Sequence, residues 1–482
     1  MSIDLRRYIP AILVALAVFC SGLPDPSCFG YAFQYGMVFD AGSSHTSLFV
    51  YQWTSDKTND TGVVSQTLSC NVKGPGISSY ANDPPKAGVS LRSCLEEALK
   101  VIPDERQREV PVYLGATAGM RLLSMENKSA ADQVLNEVTK TLQQYPVNFH
   151  GARIITGEEE GAYGWITINY LLDSFTKYSP KQRDWIHPQS AKILGALDLG
   201  GASTQISFIP IGPITDQTKA STFRLYGFTY TIYTHSYLCY GQNQALKQLI
   251  LKITEGSVNH PCYPEGYQET TTAASIHSMP CTASQAWTPS QASWNATLVG
   301  TGNATECRMA IKQIFNFTAC GQSQSCTFDG IYQPLVNGEF FAFSAFYYTF
   351  SFLNLTRGQP LDVVEDTVQK FCARNWTDVR TVRGDEGYSG IGRGHLWGLQ
   401  SKGPKRAGGR ELSQGRPHSK RQAANTDIGW TLGYMLNLTN KIPAEAPEQV
   451  KGQQHGLWAA AIFFIVLTLA VCLIGLLIYI LW

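Results

Sequence analysis

Two short stretches hold residues suited to gripping a polyphosphate: DAGSSHT at 40–46 and DLGGAST at 198–204. Each follows an apolar run, presents one Asp and a burst of small residues, and then returns to apolar character. Aligned, Asp40 falls on Asp198, Gly42 on Gly200 and Thr46 on Thr204. Ser43, Ser44 and His45 fill the first turn; Gly201, Ala202 and Ser203 fill the second. Small side chains let a backbone approach a ligand, and successive N–H groups in a tight turn form an anion-binding concavity. An Asp at a strand end supplies a hard oxygen for Mg2+ or Ca2+, directly or through water. One copy would read as an ordinary hairpin with Asp as turn former. Two matched copies read as two halves of one polyphosphate site. No GxxxxGK[ST] occurs, and no GxGxxG follows a strand, so nucleotide binding of the P-loop or dinucleotide kind is excluded.

The elements that position these turns are legible in part. YGMVFDAGSSHTSLFVYQW reads as strand, tight turn, strand. SLRSCLEEALKVI and residues 130–144 have helical apolar spacing. VPVYLGATAGMRLL reads as a short buried strand, a Gly-containing turn and a helix start. ARIITGEEEGAYGWITINYLL reads as strand, polar turn and apolar helix, and KILGALDLGGASTQISFIP as the second strand–turn–strand. Strands alternating with helices predict an α/β protein. Residues 255–330, rich in Cys, Thr and Ser, predict a loop-heavy region held by disulfides.

At 482 residues the chain is too long for one compact core, which predicts two or more domains. A net charge of +1 gives no reason to expect a nucleic-acid partner. Residues 457–482 carry no charge and are long enough for a transmembrane helix, with Trp458, Tyr479 and Trp482 near its ends. Arg6 and Arg7 precede an apolar run over 8–23 that suits a signal peptide or an N-terminal anchor. Between these ends lie sequons at Asn59, Asn127, Asn295, Asn303, Asn316, Asn354, Asn375 and Asn437, as on a glycosylated extracellular surface. From residue 35 to residue 450 the chain holds nine cysteines without zinc-site spacing, which predicts disulfides with one thiol left over there.

DAGSSHT (40–46), GATAGMRLL (115–123), GEEEGAYGW (157–165), DLGGASTQ (198–205) and DIGWTLGYMLNLT (427–439) together resemble the five signature regions of the ecto-apyrases, the ecto-nucleoside triphosphate diphosphohydrolases. The subgroup with a C-terminal membrane anchor fits best. The resemblance implies the actin/sugar-kinase-like superfold: two related RNase H-like domains with an interdomain active-site cleft, plus the C-terminal transmembrane helix. One lobe would take 35–165, completed by 427–450, and the other 166–379. The implied reaction is metal-assisted removal of terminal phosphates from nucleoside di- and triphosphates at the cell surface. Glu160 would be the catalytic base, with Ser203 and Gln205 holding the attacking water. Asp40 and Asp198 would bind Ca2+ or Mg2+ through its waters. The backbone around Ser43, Ser44, His45, Gly200, Gly201 and Ala202 would cradle phosphates. Thr117 and Arg121 belong to the second signature, Arg121 as a phosphate neutraliser. Tyr347 would stack the nucleobase, with neighbouring Tyr348 and plain core packing as alternatives. The implied disulfides are Cys70–Cys94, Cys239–Cys281, Cys262–Cys307 and Cys320–Cys326. Implied partners are the nucleotides and membrane lipid; a homo-oligomer through transmembrane helices stays open.

The chain departs from the family over 380–424. Gly, Arg and Lys there replace a Cys, an apolar helix and residues that close the base pocket, which predicts a disordered basic segment and a partnerless Cys372. The expected consequence is poor folding or weakened base recognition beside intact phosphate and metal residues. Two other readings follow: an impaired variant acting only as a membrane glycoprotein, and a phosphotransferase on the same superfold.

Overall fold

The computed structural model describes residues 33–383, 422–423, 426–442 and 455–481, less 55–56, 180, 183, 189–191, 255–258, 277–279, 283–294, 324 and 356–358. The run expected as signal or anchor, 8–23, and nearly all of the basic segment 380–424 lie outside the described residues.

Within the unit that ends at Pro443, two five-stranded mixed sheets carry the fold. The first contains β1 (Phe33–Ala41), β2 (Thr46–Thr54), β3 (Ser65–Asn71), β4 (Pro111–Ala116) and β5 (Asn148–Ile154), in the order β3-β2-β1-β4-β5. The second contains β6 (Gly195–Leu199), β7 (Ser203–Phe208), β8 (Ala220–Leu225), β9 (Phe228–Leu238) and β10 (Phe340–Ser344), in the order β8-β9-β7-β6-β10. In the first sheet β1 pairs antiparallel with β2 and parallel with β4. In the second β6 pairs antiparallel with β7 and parallel with β10. The doubled turn in the sequence is therefore a doubled topology. Even the hairpin register repeats. Ala41 faces Thr46 and Asp40 faces Ser47 in one; Leu199 faces Thr204 and Asp198 faces Gln205 in the other.

Six helices in this unit frame the core and the turns: α1 (Pro84–Leu99), α2 (Ala118–Glu126), α3 (Lys128–Leu142), α4 (Gly157–Leu171), α5 (Ala345–Phe352) and α6 (Trp430–Thr439). Side chains alternate across a strand, and β1 uses both faces. Met37, Phe39 and Ala41 pack with Leu91 and Leu95 of α1 and Val134 and Val138 of α3. Val38 points the other way, into a core with Trp165 and Ile166 of α4 and Leu432, Met435 and Leu436 of α6. Phe341 and Phe343 of β10 enter that same core, whereas Ala342 faces a third cluster with Leu249, Ile311 and Val368. Thus α4 and α6 lie in a core shared by both sheets. Trp53 and Trp165 are buried there to within 1%, and truncating a residue of that size in a core costs about 3–5 kcal/mol.

The region 255–330 is more ordered than its composition predicts. Asn259–His260, Gln268–Thr272 and Asn295–Gly300 form a three-stranded sheet, followed by a helix over Ala304–Gln313. The segment QETTT alternates exposed and half-buried positions. Threonine is β-branched and favours strands, but an apolar-periodicity reading passes over so polar a run.

All four disulfides implied by the resemblance are formed: Cys70–Cys94, Cys239–Cys281, Cys262–Cys307 and Cys320–Cys326. Cys372 is a buried free thiol, and burial pushes its pKa up to about 12. Such a thiol is unreactive in the native state. Alkylation without reductant should label the Cys372 peptide only after denaturation, read by peptide mass mapping; labelling of the native chain there would contradict this burial.

Seven of the eight sequon asparagines are exposed. Asn437 differs: it is half-buried on α6, and the hydroxyl residue of its sequon, Thr439, is fully buried. The second unit contains the helix α7 (His455–Leu481), 27 residues without Asp, Glu, Lys or Arg. Among the described residues, no helix is long and apolar enough to cross a membrane. The spanning role expected for 457–482 is therefore taken up below as a proposal.

Candidate active site

The two small-residue turns meet. A Cβ placed on Gly201 would lie 2.6 Å from Ser43 Oγ and 3.1 Å from Asn243 Nδ2, so a side chain at 201 would push the turns apart. Ser43 is half-buried, Ser44 and His45 are exposed, and Ser44 Oγ lies 3.0 Å from His45 Nδ1. Thr117 follows β4 and donates its N–H to Ala41 O at 3.0 Å, which places the second signature beside the first turn. Ala202 is buried, and Gly200 N–H closes its hairpin on Ser203 O at 2.9 Å.

The glutamate run is not the polar turn that the sequence pattern predicts. It is the first turn of α4. Thr156 accepts from the N–H of Glu159 at 3.1 Å, and Glu159 accepts from the N–H of Thr156 at 2.9 Å. This reciprocal cap starts the helix, and its T-x-x-E spacing was present in the sequence. The three glutamates then diverge. Glu159 also takes two hydrogen bonds from Arg153, at 2.7 and 2.8 Å. Glu158 meets Lys219 and His235 Nδ1, both at 3.2 Å. Burial would push the Glu158 carboxyl up, but His235, backbone hydrogen bonding and Lys219 outweigh it and hold the pKa at about 2.

Glu160 alone turns toward the two aspartates. It is 8% exposed and ion-paired with Arg121 of α2. Gln205 Nε2 donates to its Oε2 at 3.1 Å and to Ser203 Oγ at 2.7 Å. Arg121 Nη2 reaches Ser203 Oγ at 3.3 Å. Arg121, expected to neutralise a phosphate, meets Glu160 and Ser203 here, with Nε buried and unpaired. Burial pushes the Glu160 pKa up to about 7; Arg121 lowers it and Asp40 raises it. Burial raises Asp40 to about 7 as well, Trp430 acting in the opposite sense and Asp198 adding to the rise. The Trp430 indole stops short of a formed hydrogen bond, since its Nε1 and Asp40 Oδ1 are both unpaired. Asp198 rises to about 7 through burial and then Glu160, with Ser344 lowering it. Three carboxyls, Asp198 and Glu160 buried and Asp40 half-buried with its Oδ1 inaccessible, each repelling another, therefore occupy one neighbourhood.

This arrangement fits a divalent cation. Asp40 Oδ1 is a buried acceptor without a partner, and hard cations favour carboxylate oxygen. Among the described residues, no three His, Cys, Asp or Glu side chains converge to ligate an ion directly. Tyr347 lies in the first turn of α5, directly after β10, whose last residue Ser344 pairs with Leu199 beside Asp198. Tyr347 is half-buried, and its ring meets that of Tyr348, 49% exposed, edge-on at 5.5 Å.

One contact escaped the sequence reading. Ser236 Oγ accepts from Gln205 Nε2 at 2.9 Å and from Arg121 Nη1 at 3.3 Å. Its neighbours YTHSYLCYG carry strand character but no chemical motif, and only the register of β9 on β7 sets Ser236 opposite Gln205. Gly157, at the start of α4, leaves room for this cluster: a Cβ there would fall 2.2 Å from Ser236 Cβ and 2.3 Å from Arg121 Nη1.

Residues 31–396 match the GDA1/CD39 (nucleoside phosphatase) family. The chain belongs to that family. Within GDA1/CD39, the stretch RLYG…YTHSYLCYG over 224–241 resembles the eighth mammalian type, and the relatives agree. Ectonucleoside triphosphate diphosphohydrolase 8 of Rattus norvegicus is 50% identical over 453 residues, covering 91% of this chain and 89% of its own. That of Gallus gallus is 51% identical over 460 residues, covering 93% and 92%. Ectonucleoside triphosphate diphosphohydrolase 2 of Mus musculus is 46% identical over 448 residues, covering 91% and 89%. Among solved structures, the nucleoside triphosphate hydrolases from Neospora caninum align with a TM-score of 0.58 at 14% identity, covering 92% of this chain and 98% of theirs. At that identity the likeness concerns the α/β fold that this GDA1/CD39 chain shares.

Proposed function

We propose that this chain is a membrane-anchored extracellular hydrolase removing terminal phosphates from nucleoside tri- and diphosphates (ATP, ADP, UTP, UDP) through a Glu160-activated water. The observation that carries the reading is the meeting of two turns of identical register around Glu160, Asp40 and Asp198. Backbone N–H groups about Ser43, Ser44, His45, Gly200, Gly201 and Ala202 cradle the phosphates from both sides. Asp40 and Asp198 would hold Mg2+ or Ca2+, through its waters. When bound, the cation offsets phosphate charge and lowers the barrier to attack by water. Glu160, with a pKa near neutrality, takes the proton from the attacking water. Ser203 and Gln205 orient that water, the unpaired Gln205 Oε1 being free to accept a hydrogen bond from it while its proton passes to Glu160. Thr117 supports the first turn, Arg121 balances the charge of the base, and Tyr347 offers a ring to the nucleobase.

The membrane anchoring rests on the sequence, where residues 457–482 carry no charge and exceed the roughly 20 apolar residues that a spanning helix needs. The catalytic unit then faces outward, as the exposed sequons and formed disulfides suit.

The full chain in detergent should release phosphate from ATP and ADP with Mg2+ or Ca2+, and chelation should stop it. No release, even after the family's usual segment is restored at 380–424, would overturn the reading. Buried, unpaired Cys372 favours one second reading, an impaired membrane glycoprotein. Release only from the restored chain would select it.

A further inference from the structure

Ser236 lies in β9 directly opposite Gln205 in β7. Its oxygen accepts from the Gln205 amide and the Arg121 guanidinium. Ser203 is held by the same two groups, and both groups also bind the Glu160 carboxylate. The amide and the guanidinium are thus each pinned between two serine oxygens while they grip Glu160.

We propose that Ser236 is a positioning residue for the hydrolytic reaction, its hydroxyl oxygen fixing the Gln205 amide and the Arg121 guanidinium against Glu160. The proposal rests on the hydrolytic reading above and deepens it. A serine oxygen has two lone pairs, and two N–H donors occupy both. The Gln205 Nε2 points at three acceptors, Ser203, Ser236 and Glu160, and its Oε1 is left buried without a donor. A flipped amide would set that oxygen against the Glu160 carboxylate, which is acceptor-only when ionised, whereas the two serine hydroxyls can serve either as acceptors or as donors. Ser236 also gives Arg121 Nη1 its acceptor, so the guanidinium meets Glu160 in one orientation. Without Ser236 the base keeps its neighbours but loses the fixed geometry of both.

The strand does not depend on Ser236 for its place. On one side of it Thr234 Oγ1 meets Ser207 Oγ at 2.7 Å, and His235 meets Glu158 at 3.2 Å. Ser236→Ala should therefore fold.

The test is steady-state ATP hydrolysis by the full chain in detergent, comparing Ser236→Ala with the parent and with Glu160→Gln. The expected result is a kcat lowered by about 10–100-fold, the effect of small misplacements of catalytic groups, with KM within about threefold because nucleotide binding is untouched. Thermal melting should stay within a few degrees of the parent. A kcat within about twofold of the parent, or a loss carried entirely by KM, would overturn the proposal. Should Ser236→Ala fail to fold, Ser236→Cys keeps the volume and weakens the acceptor, and its kcat is read by the same criteria. Full turnover in Glu160→Gln would remove the hydrolytic reading itself; a dead Glu160→Gln beside a fully active Ser236→Ala would remove only the role of Ser236.

Discussion

Glu160→Gln is expected to lower phosphate release from ATP by roughly 10²–10⁴-fold, the contribution of a positioned general base. The amide cannot take a proton from water, yet it keeps the shape of the side chain. The fold should persist, because α4 is started by Thr156 and Glu159 rather than by Glu160. Replacing a buried carboxyl by a neutral amide also removes the repulsion that Asp40 exerts on it. It leaves Arg121 a weaker partner, so the two effects on stability oppose each other. The adjacent glutamates provide the contrast. Glu159→Gln should cost stability through the lost Arg153 pairing, and Glu158→Gln through the lost Lys219 and His235 contacts. Neither should approach the loss seen at 160, because neither carboxyl faces the aspartates. Equal losses of kcat at all three positions would show that charge at the start of α4, not a base at 160, is what matters.

How far the sequence carried this site depends on the kind of signal each residue leaves. The two turns were legible because the constraint is local: a small-residue hairpin between apolar strands needs no partner to be recognised, and its second copy confirmed the first. Strands β1, β2, β4 and β5 of the first sheet and its helices followed from local pattern for the same reason, whereas β3, alternating only exposed and half-buried positions, left no apolar signal. The glutamate run was misread as a turn, although its Thr156–Glu159 capping pair was visible, because three adjacent charges resemble loop composition. Ser236 was out of reach. It gains its place from the pairing of β9 with β7, a contact between residues 31 positions apart in a strand that holds no motif. The strands within 255–330 were hidden by their polarity, since threonine runs satisfy strand geometry without marking an apolar face. The four disulfides came from likeness to a family rather than from spacing, and spacing alone would not have paired them.

The second large effect is expected at Asp198, where catalysis and stability should move in opposite directions. Asp198→Asn removes one of two carboxylates proposed to hold the cation. Lost metal stabilisation of the transferring phosphate is worth several kcal/mol, or on the order of 100-fold or more in turnover. Without metal, however, the native Asp198 is a burden above neutral pH. Its folded pKa is raised from 3.8 to about 7, so the folded chain keeps a proton that the unfolded chain has released. A carboxyl of this kind contributes stability that is fully present below pH 3.8 and is lost as pH rises through about 7. Asp40 and Glu160 shift in the same direction, so the metal-free parent should melt progressively lower from pH 5 to pH 8. Asp198→Asn should flatten that decline and raise the metal-free melting temperature at pH 8, a gain of stability bought with activity. Added Mg2+ or Ca2+ should stabilise the parent more at pH 8 than at pH 5.5, because the ion competes with protons for the same oxygens. It should do far less for the variant. Differential scanning across pH, with and without metal, reads all of these together. A metal-free parent whose melting temperature rises from pH 5 to pH 8 would mean that the three carboxyls are not protonated together in the native site, and the case for a cation gathered by Asp40 and Asp198 would lose its physical basis.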